Sequence, residues 1–141
     1  MKYKNELKKA FQVSIPVMMG YSVLGFAFGL LLVSFEYSWY LAPLMSLFIY
    51  AGALQFVNVK AGMVDIAIAS WFINIRQSFY GLSLLKRFKD TGKFKTYLIF
   101  GLTDETYALL TTIKDDESLN KRWYYFFLTA LNQSYWFIGS T

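Results

Sequence analysis

Five apolar stretches divide the chain, at residues 10–34, 39–59, 61–85, 96–113 and 123–141. Each is close to the roughly 20 residues that a helix needs to cross a bilayer. The pattern predicts an all-α fold, a polytopic transmembrane helical bundle. The links are short and carry no Pro/Gly/Ser-rich tract, which predicts a single transmembrane domain over residues 1–141. Tyr3, Tyr37, Trp39, Tyr40, Trp123, Tyr124 and Tyr125 gather at the segment ends, where amphipathic rings favour the headgroup level. Pro16 and Pro43 sit near segment starts, where proline is tolerated. The last stretch stops at "WFIGST" with no polar cap, and reads as the N-terminal part of a longer protein.

Polar positions inside these stretches fall on faces when turned at about 100° per residue. In the third stretch Asn74, Gln77, Ser78 and Gly81 share one face, and Arg76 and Tyr80 lie on another. Ala51, Gln55 and Asn58 line up in the second. In the fourth, "FGLTDETYALLTT" places Gly101, Asp104, Glu105, Ala108 and Thr112 on one stripe. Thr129, Asn132, Gln133, Trp136 and Ser140 form another in the last. In the first, Ser22, Gly25 and Gly29 lie on one face, and "GFAFG" is a GxxxG pattern that lets a second helix backbone approach for packing.

Charge adds orientation. Lys2, Lys4, Lys8 and Lys9 precede the first stretch, and Lys86, Arg87, Lys89, Lys93 and Lys95 follow the third. Positive flanks favour the cytoplasm, so the N-terminus is expected there. Three full crossings would put the two clusters on opposite sides. One resolution is that 61–85, interrupted by Asp65, Asn74, Arg76, Gln77 and Gly81, is a broken or re-entrant segment lining a cavity. It leaves the loop 114–122, with Asp115, Asp116 and Glu117, outside. The other resolution is three true crossings against the bias.

Composition agrees with a bilayer setting. Hydrophobic residues make up 56% of the chain and charged residues 16%, with a mean hydropathy of +0.36. A soluble domain carries roughly a quarter charged residues. The net charge of +5 does not imply nucleic acid, because the basic residues flank apolar segments. With no cysteine and no histidine, disulfides, thiolate or imidazole metal sites and His-based triads are excluded. No metal or cofactor is expected. The first stretch is too long for a signal peptide and lacks a small-x-small cleavage site, so it is read as a retained helix.

A charge in lipid is costly, from ~2.5 kcal/mol upward at the bilayer centre, so Arg76, Asp104 and Glu105 must face protein or water. An ion pair from Arg76 to one acid would fix helix register. A second acid would then be left over as a candidate proton carrier.

The stretches "PVMMGYSVLGFAFG", "MSLFIYAGALQF", "FINIRQSFYGLSL" and "LTDETYAL" together resemble the AzlC family, the large subunit of two-component branched-chain amino-acid exporters. The resemblance covers essentially the whole chain. It implies a multi-pass helical protein of the bacterial inner membrane, paired with a small AzlD-like membrane subunit. It further implies export of branched-chain amino acids, and of methionine, driven by the proton-motive force. The matched positions are Gly20, Tyr21, Gly52, Gln55, Asn74, Arg76, Tyr80 and Thr103 to Glu105. Where the family usually reads Asn-x-Arg-His, Gln77 stands in place of the histidine, which leaves Asp104 or Glu105 as proton carrier. Family members continue for several more segments. No P-loop of the form GxxxxGK[ST] is present, so ATP would need a separate chain.

The mechanism expected from these residues is alternating access around a midplane site. Arg76 has the fork that matches a substrate carboxylate. Asp104 or Glu105 would meet the α-ammonium or the coupling proton. Asn74, Gln77 and Gln55 would add hydrogen bonds, and Phe56, Phe79 and Tyr80 would shape an apolar pocket. Two rivals stay open. An intramembrane enzyme would use the paired acids, and "GLTD" superficially resembles the GxGD of aspartyl proteases, but Thr103 replaces its second glycine. A non-transporting membrane scaffold would use the polar stripes only for packing, and would tolerate uncharged substitutions in them.

Overall fold

A computed structural model describes residues 3–60, 62–112 and 118–141, leaving out the side chains of residues 57–60, 63, 66 and 74. The side chains of Asn58 and Asn74, and the acids Asp115, Asp116 and Glu117, therefore lie outside the described residues. Every regular element among the described residues is helical. In chain order these are α1 (Lys4–Ser34), α2 (Leu41–Phe48), α3 (Gly52–Lys60), α4 (Met63–Leu84), a 3-10 stretch (Lys89–Phe94), α5 (Lys95–Phe100), α6 (Asp104–Thr112) and α7 (Lys121–Ser140).

Helix α1 starts six residues earlier than its apolar stretch. Pro16 therefore sits inside it rather than near its start, where it removes one rung of the hydrogen-bond ladder. Its buried positions are Glu6, Ala10, Ser14, Val17, Tyr21, Gly25, Phe28 and Leu32. They recur at steps of four and three, one continuous stripe along the helix. Other faces expose Met19, Val23, Phe26, Leu30 and Val33. From Val13 to Ser34 the helix carries no charged residue, which suits lipid as surroundings, and α1 is long and apolar enough to cross a membrane by length and composition. At its end Glu36 takes a left-handed φ of 63°, while Tyr37 N–H donates to Leu32 O at 3.3 Å and closes the last turn.

The interruptions fall elsewhere than the polar residues suggest. Of the two readings of 61–85, a segment broken or re-entrant around Asp65, Asn74, Arg76, Gln77 and Gly81 or a plain helix, the break is absent: α4 runs unbroken from Met63 to Leu84. Polar side chains leave the backbone ladder intact, so they decorate a helix without stopping it. The breaks lie in the second and fourth stretches. Between α2 and α3, Ile49 and Tyr50 N–H groups both donate to Met45 O, Tyr50 has a φ of 41°, and Gln55 N–H to Ala51 O at 3.0 Å restarts the ladder. Between α5 and α6, Gly101 N–H donates to Tyr97 O at 2.8 Å. Thr103 then caps α6, its hydroxyl accepting from Thr106 N–H at 3.4 Å.

The chain gathers into two compact units, whose boundaries run through α1, α4 and α7. The first comprises Met1–Val17 and Gln77–Gln133. Its core holds Ala10, Leu84, Phe88, Leu98, Leu102, Leu110, Tyr124, Tyr125 and Leu128. Tyr3 stacks on Trp123 with ring centres 4.7 Å apart, and Asn120 N–H donates to the Glu6 carboxylate at 3.2 Å. Gly101 admits Thr129 of α7, whose methyl group would clash with any Cβ there.

The second unit comprises Met18–Arg76 and Ser134–Thr141. Phe28, Leu32 and Ala42 form its core, with Leu31, Leu41, Met45 and Phe56 packed around them. The end of α7 lies directly on α1. A Cβ on Gly25 would fall 2.8 Å from Gly139 C, one on Gly29 2.8 Å from Ser140 O, and one on Gly139 2.8 Å from Tyr21 O. Ser46 and Ser140 share a buried hydroxyl hydrogen bond of 2.7 Å.

Candidate functional site

In each unit an apolar stretch is interrupted, between α2 and α3 in the second and between α5 and α6 in the first, and α7 brings a buried polar side chain to the helix that restarts there. In the second unit this is Trp136. Its indole N–H donates to Gln55 Oε1 at 2.7 Å, and both residues are buried, Gln55 with no exposure. The ring also lies against Gly52, the first residue of α3, where a Cβ would come 3.0 Å from Trp136 Cη2. Tyr21 meets the indole edge-on at 5.3 Å, and Phe28 stacks on it at 6.3 Å. Phe28 also meets half-buried Phe56 at 5.5 Å. Gln55 Nε2 is buried and has no hydrogen-bond partner.

In the first unit the corresponding side chain is Asn132, also with no exposure. Its Nδ2 donates to Thr106 Oγ1 at 2.9 Å, and Thr106 shares a 3.2 Å hydrogen bond with Thr103. Asn132 Oδ1 is buried with no partner. Asp104 and Glu105 are half-buried in the first turn of α6. Acids at a helix N-terminus are favoured by its dipole.

The sequence-derived candidates distribute over both units. Gln55, Phe56, Arg76 and the helix-packing set Ser22, Gly25 and Gly29 belong to the second, Gln77, Tyr80, Asp104 and Glu105 to the first. Arg76 and Phe79 are exposed on α4, and Gln77 is half-buried. Tyr80 stacks on Tyr107 with ring centres 4.2 Å apart, and the Ser83 hydroxyl donates to Tyr107 Oη at 3.3 Å. The structure brings Gln55 and Phe56 into one aromatic cluster. It brings Gly25 and Gly29 against Gly139 and Ser140, and a Cβ on Gly139 would lie 3.3 Å from Ser22 Cα. Sequence reasoning did not pair Trp136 with Gln55 or Asn132 with Thr106. The signal was present in the α7 stripe from Thr129 to Ser140, four of whose five positions are buried.

Among the described residues all regular structure is helical, and one helix is long and apolar enough to cross a membrane. The family model described as AzlC protein matches residues 16–141. Among curated relatives, an uncharacterized membrane protein of Helicobacter pylori (strain ATCC 700392 / 26695) is 43% identical over 138 residues, covering 94% of this chain and 60% of the relative. The branched-chain amino acid transport protein AzlC of Bacillus subtilis is 36% identical, covering 94% of this chain and 54% of its own length. The inner membrane protein YgaZ of Escherichia coli is 34% identical, covering 78% and 49%. The chain belongs to the AzlC family. It spans about 60% or less of the length of these relatives. No solved structure matches it.

Proposed function

We propose that the protein acts in the bacterial inner membrane as the large subunit of an exporter of branched-chain amino acids and also of methionine. It is multi-pass with its N-terminus in the cytoplasm, works with a small AzlD-like membrane subunit, and is driven by the proton-motive force. The observation that carries the reading is the 36% identity, along 94% of this chain, to a Bacillus subtilis protein named for branched-chain amino acid transport. The two interrupted stretches support it physically. Backbone that leaves the helical ladder within a membrane is tolerated where it is enclosed by protein or lines a cavity, and transporters place substrate and coupling-ion sites at such breaks.

In this reading the five apolar stretches correspond to α1, α2 with α3, α4, α5 with α6, and α7. Asn74, Arg76, Gln77, Gln55, Tyr80 and Phe56 form the substrate-binding set, and one of Asp104 and Glu105 carries the coupling proton. A second reading, a membrane scaffold, is favoured by the Gly25 and Gly29 contacts with α7, which need only packing. Efflux separates the two. Cells lacking the gene are loaded with leucine from a leucine-containing dipeptide, and release is followed with the gene restored. Faster release with the gene, lost when its small partner is deleted, is expected; equal release with and without the gene overturns export.

A further inference from the structure

The amide of Gln55 has one fixed orientation. An indole N–H can only donate, so the Gln55 atom 2.7 Å from Trp136 Nε1 is the acceptor Oε1. Nε2, with two N–H donors, is then the atom buried without a partner, in a side chain with no exposure. Buried donors are ordinarily satisfied, and an exception calls for an explanation.

The place of this donor suggests one. Gln55 is the fourth residue of α3, and helical side chains lean back toward the N-terminus. The ring that holds its amide rests on Gly52, the first residue of the helix. Gln55 thus belongs to the opening turn of α3, whose first backbone N–H groups have no partner within the helix and carry the positive end of its dipole. Tyr50, with its left-handed φ of 41°, turns the chain out of α2 just before this point. Backbone N–H groups and an amide N–H₂ of one helix turn offer donors only, the complement of a group that only accepts. An amino acid supplies one such group, its carboxylate.

We propose that the opening turn of α3 and Gln55 Nε2 bind the α-carboxylate of the transported amino acid, with Trp136 as the positioning residue that holds the amide. The assignment rests on the transport reading above and deepens it. It gives the carboxylate to Gln55 rather than to Arg76, whose side chain is exposed. Trp136→Phe keeps a ring over Gly52 but lets the amide turn. Gln55→Glu keeps the shape and replaces the donors by a negative charge.

The test is displacement of radiolabelled leucine from the protein expressed from its complete gene with its small partner. Unlabelled leucine is compared with leucinamide, which lacks the carboxylate. Wild type should prefer leucine by roughly tenfold or more, the fold-change expected for a hydrogen bond to a charged group. Gln55→Glu should lose most of that preference, and Trp136→Phe part of it, with KM for leucine uptake raised and kcat nearly unchanged. If Gln55→Glu elutes aggregated, the Trp136→Phe preference decides. Leucine binding by wild type with the preference intact in both folded variants overturns the subsite and leaves transport standing. No leucine binding and no uptake by wild type overturns both.

Discussion

Gly25→Ala puts a single methyl group where α1 meets the end of α7. The added carbon would lie 2.8 Å from Gly139 C and 2.9 Å from Ser140 N, both backbone atoms. Carbon atoms pack best at about 3.5–4.0 Å, so the two backbones must part by several tenths of an ångström to about 1 Å. No flexible side chain is there to yield. Overpacking of this kind costs about 1–3 kcal/mol, set against a gain of about 1 kcal/mol from replacing glycine within a helix. Gly20→Ala supplies the matched control, because it lies in the same helix with nothing within 4 Å of its Cβ position. The propensity gain is common to both variants and cancels in the comparison. Gly25→Ala should therefore be the less stable of the two by about 1–3 kcal/mol. Thermal-unfolding midpoints in detergent, followed by fluorescence-detected size exclusion, measure the difference. Equal midpoints, or a higher one for Gly25→Ala, would refute the close approach of α7 to α1.

Three further outcomes follow from the same geometry. Ser46→Ala and Ser140→Ala should each cost about 1 kcal/mol, and the double variant little more than the worse single. A double-mutant cycle in the same unfolding assay reads that coupling, and additive losses would deny the 2.7 Å hydrogen bond. Thr106→Val is nearly isosteric but strips Asn132 Nδ2 of its acceptor in a side chain with no exposure. It should destabilise by about 1–3 kcal/mol, more than Thr111→Val at an exposed site on the same helix. Of Asp104→Asn and Glu105→Gln, one should leave leucine uptake indifferent to an imposed proton gradient, and coupling retained in both would remove these acids from the proton path.

The long helices were legible because their patterns are side-chain patterns. The α7 stripe Thr129, Asn132, Gln133, Trp136 and Ser140 emerged from 100° spacing alone, and Ser22, Gly25 and Gly29 from the GxxxG signature. The breaks were not legible in the same way. Asn74, Arg76 and Gln77 drew attention to 61–85, but an interruption is a backbone event. It is set by Tyr50 entering the left-handed region and by Thr103 capping a new helix at Asp104. A tyrosine gives no local warning of positive φ, whereas "GLTD", a glycine and then a threonine three residues before Thr106, does carry the N-cap signal. The Gln55 and Trp136 pair lay beyond local reading because its partners are 81 residues apart. Each alone is an ordinary polar position on an apolar helix, and only the fold brings the indole N–H to the amide.

The decisive measurement is uptake of radiolabelled leucine, valine, isoleucine and methionine into inside-out vesicles that hold the protein from its complete gene with its small partner, under an imposed proton gradient. Saturable uptake of the branched-chain substrates that collapses when the gradient is dissipated is the expected result. Uptake no greater than in vesicles without the protein, with the complex intact in the membrane, would contradict amino-acid export.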